Sequence, residues 1–312
     1  MKRPDTRIMI VGSTGFVGKR LTERLLEEGH SPVLVGKEEA FSGSGSGSYY
    51  QIDITQRGSV AKLNDCISDI DTVIYLAASL PYSTKIKDDL ASAVKVNIDG
   101  ANNFIELMEK AGPRVKKVCY ASTADVYGQA ERLPIEEKDA VSPVSNYAVT
   151  KRAGEILFSD YCSRHSLSLA TLRFSQIYGP GDNSPKLIPS TIRTILKGKM
   201  PEIYGDGSDL RDMLFIDDAA AAVKHWLAGE KSGIYNVATG RSSSVLEIVQ
   251  EILRQFNIKQ PPALCPRRRK KADFVFNTDR LNKDFGFEAS FNLERGLRKT
   301  IQWCQDNEKT FL

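Results

Sequence analysis

"IMIVGSTGFVGKRL", residues 8–21, is the stretch on which the fold turns. Four apolar residues, Ile8–Val11, run without polar alternation, as in a strand buried on both faces. Gly12 follows at once, and Gly15 and Gly18 recur at steps of three as a helical pattern begins. In that context each glycine has a use. The first allows a tight turn, the second lets backbone approach a pyrophosphate, and the third lets the helix pack close to the sheet. The helix N-terminus then offers N–H groups to an anion. A plain glycine turn would need none of these neighbours, so the stretch predicts dinucleotide binding.

Similar apolar runs follow at 33–35, 50–54, 73–76, 118–121 and 169–172. Helix-like stretches separate them, near 16–28, 57–67, 86–111 and 147–164. This alternation predicts an α/β fold with a Rossmann-type, doubly wound parallel sheet. After Arg173 glycine and proline punctuate the chain, as in "YGPGDNSPKLIP" and "YGDGSD". The expected division is a dinucleotide-binding domain at 1–173 and a smaller substrate-binding region at 174–312. Pieces near 211–240 are expected to return to the first domain. The tract "SGSGSGS" (42–48) is a flexible linker by composition, native or introduced.

The 312 residues carry a formal net charge of +4, with 41% hydrophobic and 26% charged residues. So small a charge does not indicate a nucleic-acid partner. The apolar run after Lys2 and Arg3 is too short for a signal peptide or a membrane span. The five cysteines and three histidines are dispersed, without metal-ligand spacing. The expectation is a cytoplasmic protein with reduced thiols and no metal site.

The second strand ends "VLVGKEEA" (33–40). An acid there would hold a ribose 2′-hydroxyl, and a base would accept a 2′-phosphate. Gly36 stands where the acid is expected and Lys37 follows, which favours NADP(H) over NAD(H). A boundary two residues later would give the acid's role to Glu38 or Glu39. Asp53 of "QIDI" is placed either to meet the adenine edge or to cap the next helix. Further on, "YASTADVYG" (120–128) closes a strand at the sheet edge where ligands bind. "NYAVTK" (146–151) sets Tyr147 and Lys151 one helical turn apart. A hydroxyl from Ser122 or Thr123 and the Tyr147–Lys151 pair can therefore converge beside a nicotinamide. A free tyrosine titrates at about 10, and a nearby ammonium together with a positively charged oxidised nicotinamide would lower it. The phenol then becomes a usable acid or base.

With these residues in view the chain resembles the extended short-chain dehydrogenase/reductases, specifically the nucleotide-sugar epimerases, dehydratases and reductases. The matching motifs are the Gly12, Gly15, Gly18 turn, Asp53, "LAA" (76–78), Asn97 in "VNIDG", "STADVYG" and the Tyr147–Lys151 pair. Others are "LRFSQIYGPGD", "YGDGSDLRDMLFIDD", "YNVATG" and the closing "FGFEASFNLERGLRKTIQW". They span nearly the whole chain in family order. The resemblance implies Tyr147 as acid/base, Lys151 holding the nicotinamide ribose, and Thr123 bonding the reacting sugar oxygen. It implies cofactor contacts from Thr14, Phe16, Val17, Ile54, Leu76, Ala77, Ala78 and Asn97, with the glycines, Lys37 and Asp53. Substrate would meet Ser122, Gln176, Lys186 and Arg211, and Arg268 or Arg269 would hold its diphosphate. The competing reading of "RRRKK" (267–271) is a solvated basic surface. A homodimer through the helices near 86–111 and 147–164 is also implied.

Three positions depart from the family pattern. Ala124 and Asp125 replace the Asp-Glu pair of the sugar 4,6-dehydratases, which disfavours dehydration. Gln176 replaces an asparagine that contacts substrate. Gly36-Lys37 replaces the acid. These departures lean the expectation towards an NADPH-dependent reductase of nucleotide-linked keto sugars acting at C4. The alternatives are an NAD-dependent nucleotide-sugar 4-epimerase and a non-catalytic dinucleotide-binding regulator.

Overall fold

A computed structural model of the chain describes residues 7–39, 48–82, 88–112, 114–268 and 270–312. The Gly-Ser tract as far as residue 47, the first part of the expected 86–111 helix and Arg269 lie outside the described residues.

The first strand, β1 (Ile8–Val11), is buried at every position. The chain continues through α1 (Phe16–Glu27), β2 (Val33–Gly36), β3 (Tyr49–Gln51), α2 (Arg57–Val60), α3 (Asn64–Ile67) and β4 (Thr72–Tyr75). Next come α4 (Leu90–Val94), α5 (Gly100–Ala111), β5 (Lys117–Thr123), α6 (Asn146–Arg164) and β6 (Ser168–Phe174). Then follow β7 (Gln176–Tyr178), α7 (Leu187–Leu196), β8 (Glu202–Tyr204), β9 (Leu210–Phe215), α8 (Ile216–Ala228) and β10 (Gly233–Val237). The chain closes with β11 (Ser242–Ser244), α9 (Val245–Gln255), β12 (Ala263–Cys265), α10 (Asp279–Phe285) and α11 (Leu293–Asp306), then a last short turn of helix.

The main sheet runs β10-β6-β5-β4-β1-β2-β3, and the pairings from β3 through to β6 are all parallel. Chain order reverses between β1 and β4. In a doubly wound sheet the ligand crevice opens at such a switch point, beyond the carboxyl ends of the strands. The apolar strands have no polar face because helices cover both sides. Val11, Val35, Val73, Tyr75, Phe104, Val118 and Phe158 belong to one buried cluster.

The residues divide into two units. One holds Met1–Gly128, Val141–Phe174 and Ala220–Tyr235. The other holds Gln129–Ala140, Ser175–Ala219 and Asn236–Leu312. Residues 129–140 join the second unit through backbone. Ile135 N–H donates to Val275 at 2.7 Å, and Asn277 N–H donates to Ile135 at 2.9 Å. The second unit also contains the sheet β11-β9-β7 and the pair β12-β8.

Two helical expectations change in detail. The stretch near 57–67 is α2 and α3 joined by a 3₁₀ turn, Ala61–Leu63. The helix expected to begin near 86 begins at Leu90, because the Asp89 carboxylate caps it by accepting from Ala91 N–H at 3.1 Å. A π-helical turn, Lys95–Asp99, then joins α4 to α5. Such turns occur where a side chain has a special task, and Asn97 lies within this one.

Candidate active site

The glycine turn sits at the switch point. Gly12 has φ +90°, and its N–H donates to Val35 O at 2.8 Å. A Cβ on Gly12 would stand 2.7 Å from Ala77 N, so the turn and the start of "AAS" after β4 nearly touch. A Cβ on Gly18 would meet Gly12 O at 2.1 Å. Gly15 is the extended N-cap of α1, with no side-chain cap and no acid in the first turn. The N–H groups of this three-turn helix are thus left for an anion, and the cradle fits a dinucleotide pyrophosphate. Phe16 and Val17 open the helix and are half-buried.

Gly36 is glycine for a local reason. A Cβ there would lie 2.6 Å from Thr14 Cγ2 and 2.9 Å from the Tyr49 hydroxyl. Thr14 and Tyr49 fill the place that a longer side chain at 36 would need. Lys37 is largely exposed and pairs with Asp53 at 3.3 Å. Burial alone would raise the Asp53 carboxyl, but bonds from Thr55 and the Lys37 ammonium hold it below the usual range. Ile54 is buried beneath Gly100, and its carbonyl accepts from Asn103 at 2.9 Å. Leu76 N–H donates to Val11 O at 2.8 Å, which carries the backbone of Leu76, Ala77 and Ala78 past the glycine turn.

Asn97 is 1% exposed and its amide is fully used. Its Oδ1 accepts from Ser79 N–H at 2.7 Å, and its Nδ2 donates to Ser79 O at 3.2 Å and to Thr150 Oγ1 at 2.9 Å. It acts as a strut between the segment after β4 and α6. Both amide hydrogens are spent, so a direct bond from this side chain to a cofactor would have to break one.

Thr123 ends β5, and Tyr147 opens α6 after the Ser145 cap. The Thr123 hydroxyl accepts from Asp125 N–H at 3.2 Å and lies near enough to the Tyr147 phenol to pull its pKa down. Lys151 is 2% exposed, with Nζ 4.2 Å from the centre of the Tyr120 ring. Gly154 makes room for that ring, since a Cβ there would lie 2.1 Å from the Tyr120 hydroxyl. The expected electrostatics are reversed in the chain itself. Burial first, then Asp125 and Tyr82, push the Tyr147 phenol well above its ordinary value, while Thr123 pulls it down. Burial also brings the Lys151 ammonium down to about 7, against the upward pull of Glu155.

Glu155, one turn beyond Lys151, is 3% exposed. It accepts from Arg173 Nε and Nη2, each at 2.9 Å, from Ser122 Oγ at 2.5 Å and from Arg152 Nη1 at 2.6 Å. Burial would raise this carboxyl, but those donors outweigh it and hold it low. The Ser122 hydroxyl is therefore committed to Glu155, unlike that of Thr123. Its neighbour Ala124 is buried at 4% and offers no carboxyl, while Asp125 is exposed.

The remaining expected substrate residues lie in the second unit. Gln176 begins β7 and pairs in register with Met213 of β9. Lys186 caps α7 by position, without a side-chain cap bond. Arg211 donates to Leu210 O at 2.8 Å and Ala272 O at 2.5 Å, with its guanidinium 5.4 Å from the Phe274 ring centre. Arg268 lies 3.6 Å over the Tyr204 ring. Arg267, which sequence reasoning did not single out, pairs with Asp206 at 2.6 Å and Asp209 at 2.8 Å.

Comparison with known proteins agrees with this geometry. Residues 8–238 match the NAD dependent epimerase/dehydratase family, and the chain belongs to that family. The UDP-glucuronate 4-epimerase of Thermodesulfobacterium geofontis is 29% identical over 314 residues, covering 96% of each chain. The UDP-glucose 4-epimerase of Mycolicibacterium smegmatis is 28% identical over 327 residues, covering 97% of this chain and all of that one. The structure of MoeE5 in complex with UDP-glucuronic acid and NAD is 30% identical, with a TM-score of 0.84 over 96% of this chain and 99% of that one. The chain is thus an enzyme of the extended short-chain dehydrogenase/reductase type. The lean towards an NADPH reductase finds less support than its epimerase alternative: MoeE5 is seen with NAD, and the two curated relatives are 4-epimerases. Among the described residues no helix is long and apolar enough to cross a membrane.

Proposed function

We propose that the chain is an NAD-dependent nucleotide-sugar 4-epimerase, with a UDP-hexose or UDP-hexuronate as substrate. The observation that carries this is Thr123 at the end of β5 acting on the Tyr147 phenol at the start of α6, with buried Lys151 one turn further along that helix and a glycine cradle that fits a dinucleotide. The bound dinucleotide supplies the hydride acceptor and donor. Thr123 would hold the sugar O4, and Tyr147, as its phenolate, would take the O4 proton through the Thr123 hydroxyl. Tyr147 keeps the proton while the 4-keto ring turns over, and returns it to O4 when hydride comes back to the other face of C4. Lys151 would hold the nicotinamide ribose, and the positive charge of the oxidised dinucleotide, when bound, would favour the Tyr147 phenolate. Arg211, with Arg268 or Arg269, suits the diphosphate as a bidentate donor. Ala124 leaves elimination of water without its acid.

The reductase reading retains one observation, the missing acid at Gly36 with Lys37 beside it. Lys37 is spent on Asp53, but an exposed pair of this kind is worth only about 0–1 kcal/mol and yields readily. Parallel titrations with NADH and NADPH separate the two readings. The family's dimer is also proposed here. Val149 and Ile156, seven apart on α6, and Leu90 on α4 are about half-exposed apolar side chains available to a second copy. Sedimentation as a monomer at micromolar concentration would contradict that.

Tyr147→Phe tests the chemical assignment. It should lower kcat on UDP-glucose or UDP-glucuronate by roughly 10²–10⁴, with NAD affinity kept within about twofold. Turnover near that of the parent protein would overturn the role given to Tyr147.

A further inference from the structure

Asp88 is an aspartate in the left-handed region, with φ 52°. Few non-glycine residues adopt this conformation, and it persists where the surroundings over-determine it. All four of its polar groups are engaged. Its N–H donates to Pro81 O at 2.7 Å, and its carbonyl accepts from Asn146 Nδ2 at 2.8 Å. Its carboxylate accepts from two backbone N–H groups at the start of α6. These are Asn146 N–H, at 3.0 Å to Oδ2, and Tyr147 N–H, at 3.0 Å to Oδ1.

Capping alone does not require this. Ser145 already caps α6, with Oγ accepting from Ala148 N–H at 3.1 Å. A local cap plus a carboxylate reaching across 58 and 59 residues satisfies the first three N–H groups of the helix. One of those groups is the amide of the residue that carries the phenol. Asp89, next in the chain, caps α4. A single corner thus fixes the start of both helices.

We propose that Asp88 is a positioning residue for Tyr147, clamping the first turn of α6 so that the phenol keeps its place near Thr123. The clamp deepens the reading above: its kinetic test rests on that reading, and its exchange test does not.

Two substitutions separate the clamp from the strained backbone. Asp88→Gly relieves the conformation and removes both acceptors. Asp88→Asn tolerates the conformation and keeps one acceptor oxygen. In the full chain, amide hydrogen exchange of a peptide covering residues 145–151 should quicken at least about tenfold in Asp88→Gly and about threefold in Asp88→Asn. The second half of α6 should be unchanged. With NAD and UDP-glucose or UDP-glucuronate as probes, kcat of Asp88→Gly should fall at least about tenfold while KM and the NAD Kd stay within about twofold. Asp88→Asn should keep kcat within about threefold. Parent-like exchange in Asp88→Gly would overturn the clamp, and so would faster exchange with unchanged kcat. If Asp88→Gly does not fold, Asp88→Asn decides, and parent-like exchange in it overturns the proposal. If the parent protein turns over neither sugar, it is the epimerase reading that fails, and exchange alone decides the clamp.

Discussion

Glu155→Gln removes one charge from the most heavily bonded carboxylate beside the site. Glu155 and Arg173 are 3% and 2% exposed and meet through two bonds of 2.9 Å. Water does not reach either group freely, so the neutral amide leaves the Arg173 guanidinium buried without its counter-charge. It also turns an N–H₂ towards donors that need an acceptor, namely Arg173, Arg152 or Ser122. Breaking a buried pair on one side costs roughly 3–5 kcal/mol. At roughly 2–4 °C per kcal/mol, the melting temperature should drop by roughly 6–20 °C. Scanning calorimetry of the parent and variant measures this. A second readout follows from the site. Glu155 holds the Lys151 ammonium up from below, so its loss should push Lys151 further under its value of about 7. The double variant Glu155→Gln, Arg173→Met should recover most of the lost stability, because it removes both buried groups together. A fall of less than about 2 °C in the single variant would refute the reasoning, since it would mean that the pair is solvated or dispensable.

Lys151 itself predicts a pH dependence. Its folded value of about 7 lies below that of an unfolded lysine near 10.4. Between those values the unfolded chain binds more protons, so this group makes stability rise with pH from about 7 to about 10. Melting curves of the parent against Lys151→Met should show that slope only in the parent, and a parallel pair of profiles would contradict it. Gly18→Ala places a methyl carbon 2.1 Å from Gly12 O, which is backbone and cannot swing away. The expected cost is roughly 1–3 kcal/mol, together with at least tenfold weaker dinucleotide binding by calorimetry, because the cradle must open to admit the methyl; unchanged affinity would remove the glycine turn from the cofactor site.

The parts of the fold held by local patterns were legible from sequence. Ile8–Val11 is a strand in full because an unbroken apolar run of four suits a strand covered on both faces. The run at 50–54 misleads in its second half. Ile52 and Ile54 are buried at 2% and 8%, but β3 stops at Gln51 and they pack from a turn. No apolar run marks β10, because Asn236 interrupts it; that residue is wholly buried and donates to Ile135 O at 3.0 Å. That Tyr147 and Lys151 share a helix and that Ser122 and Thr123 end a strand was legible because these are local properties. The residues that hold them were not. Glu155 and Arg173 read as ordinary charges until the fold brings them together across 18 residues, and Asp88 shows its purpose only when its carboxylate reaches α6. Asn97 was read as a cofactor contact, and only the tertiary structure shows its amide spent on Ser79 and Thr150. The burial of Tyr147 and Lys151 was not legible either: spacing places the lysine near the phenol but does not report that both are desolvated.

The central claim is that hydride leaves C4 of a nucleotide sugar and returns to the same carbon. It is tested most directly with UDP-glucose and UDP-glucuronate deuterated at C4, incubated with the NAD-loaded protein and followed by NMR. The account predicts a 4-epimer that retains its deuterium at C4, with no net consumption of cofactor. Deuterium lost from C4, stoichiometric oxidation of NADPH without an epimer, or no product from either sugar would contradict it.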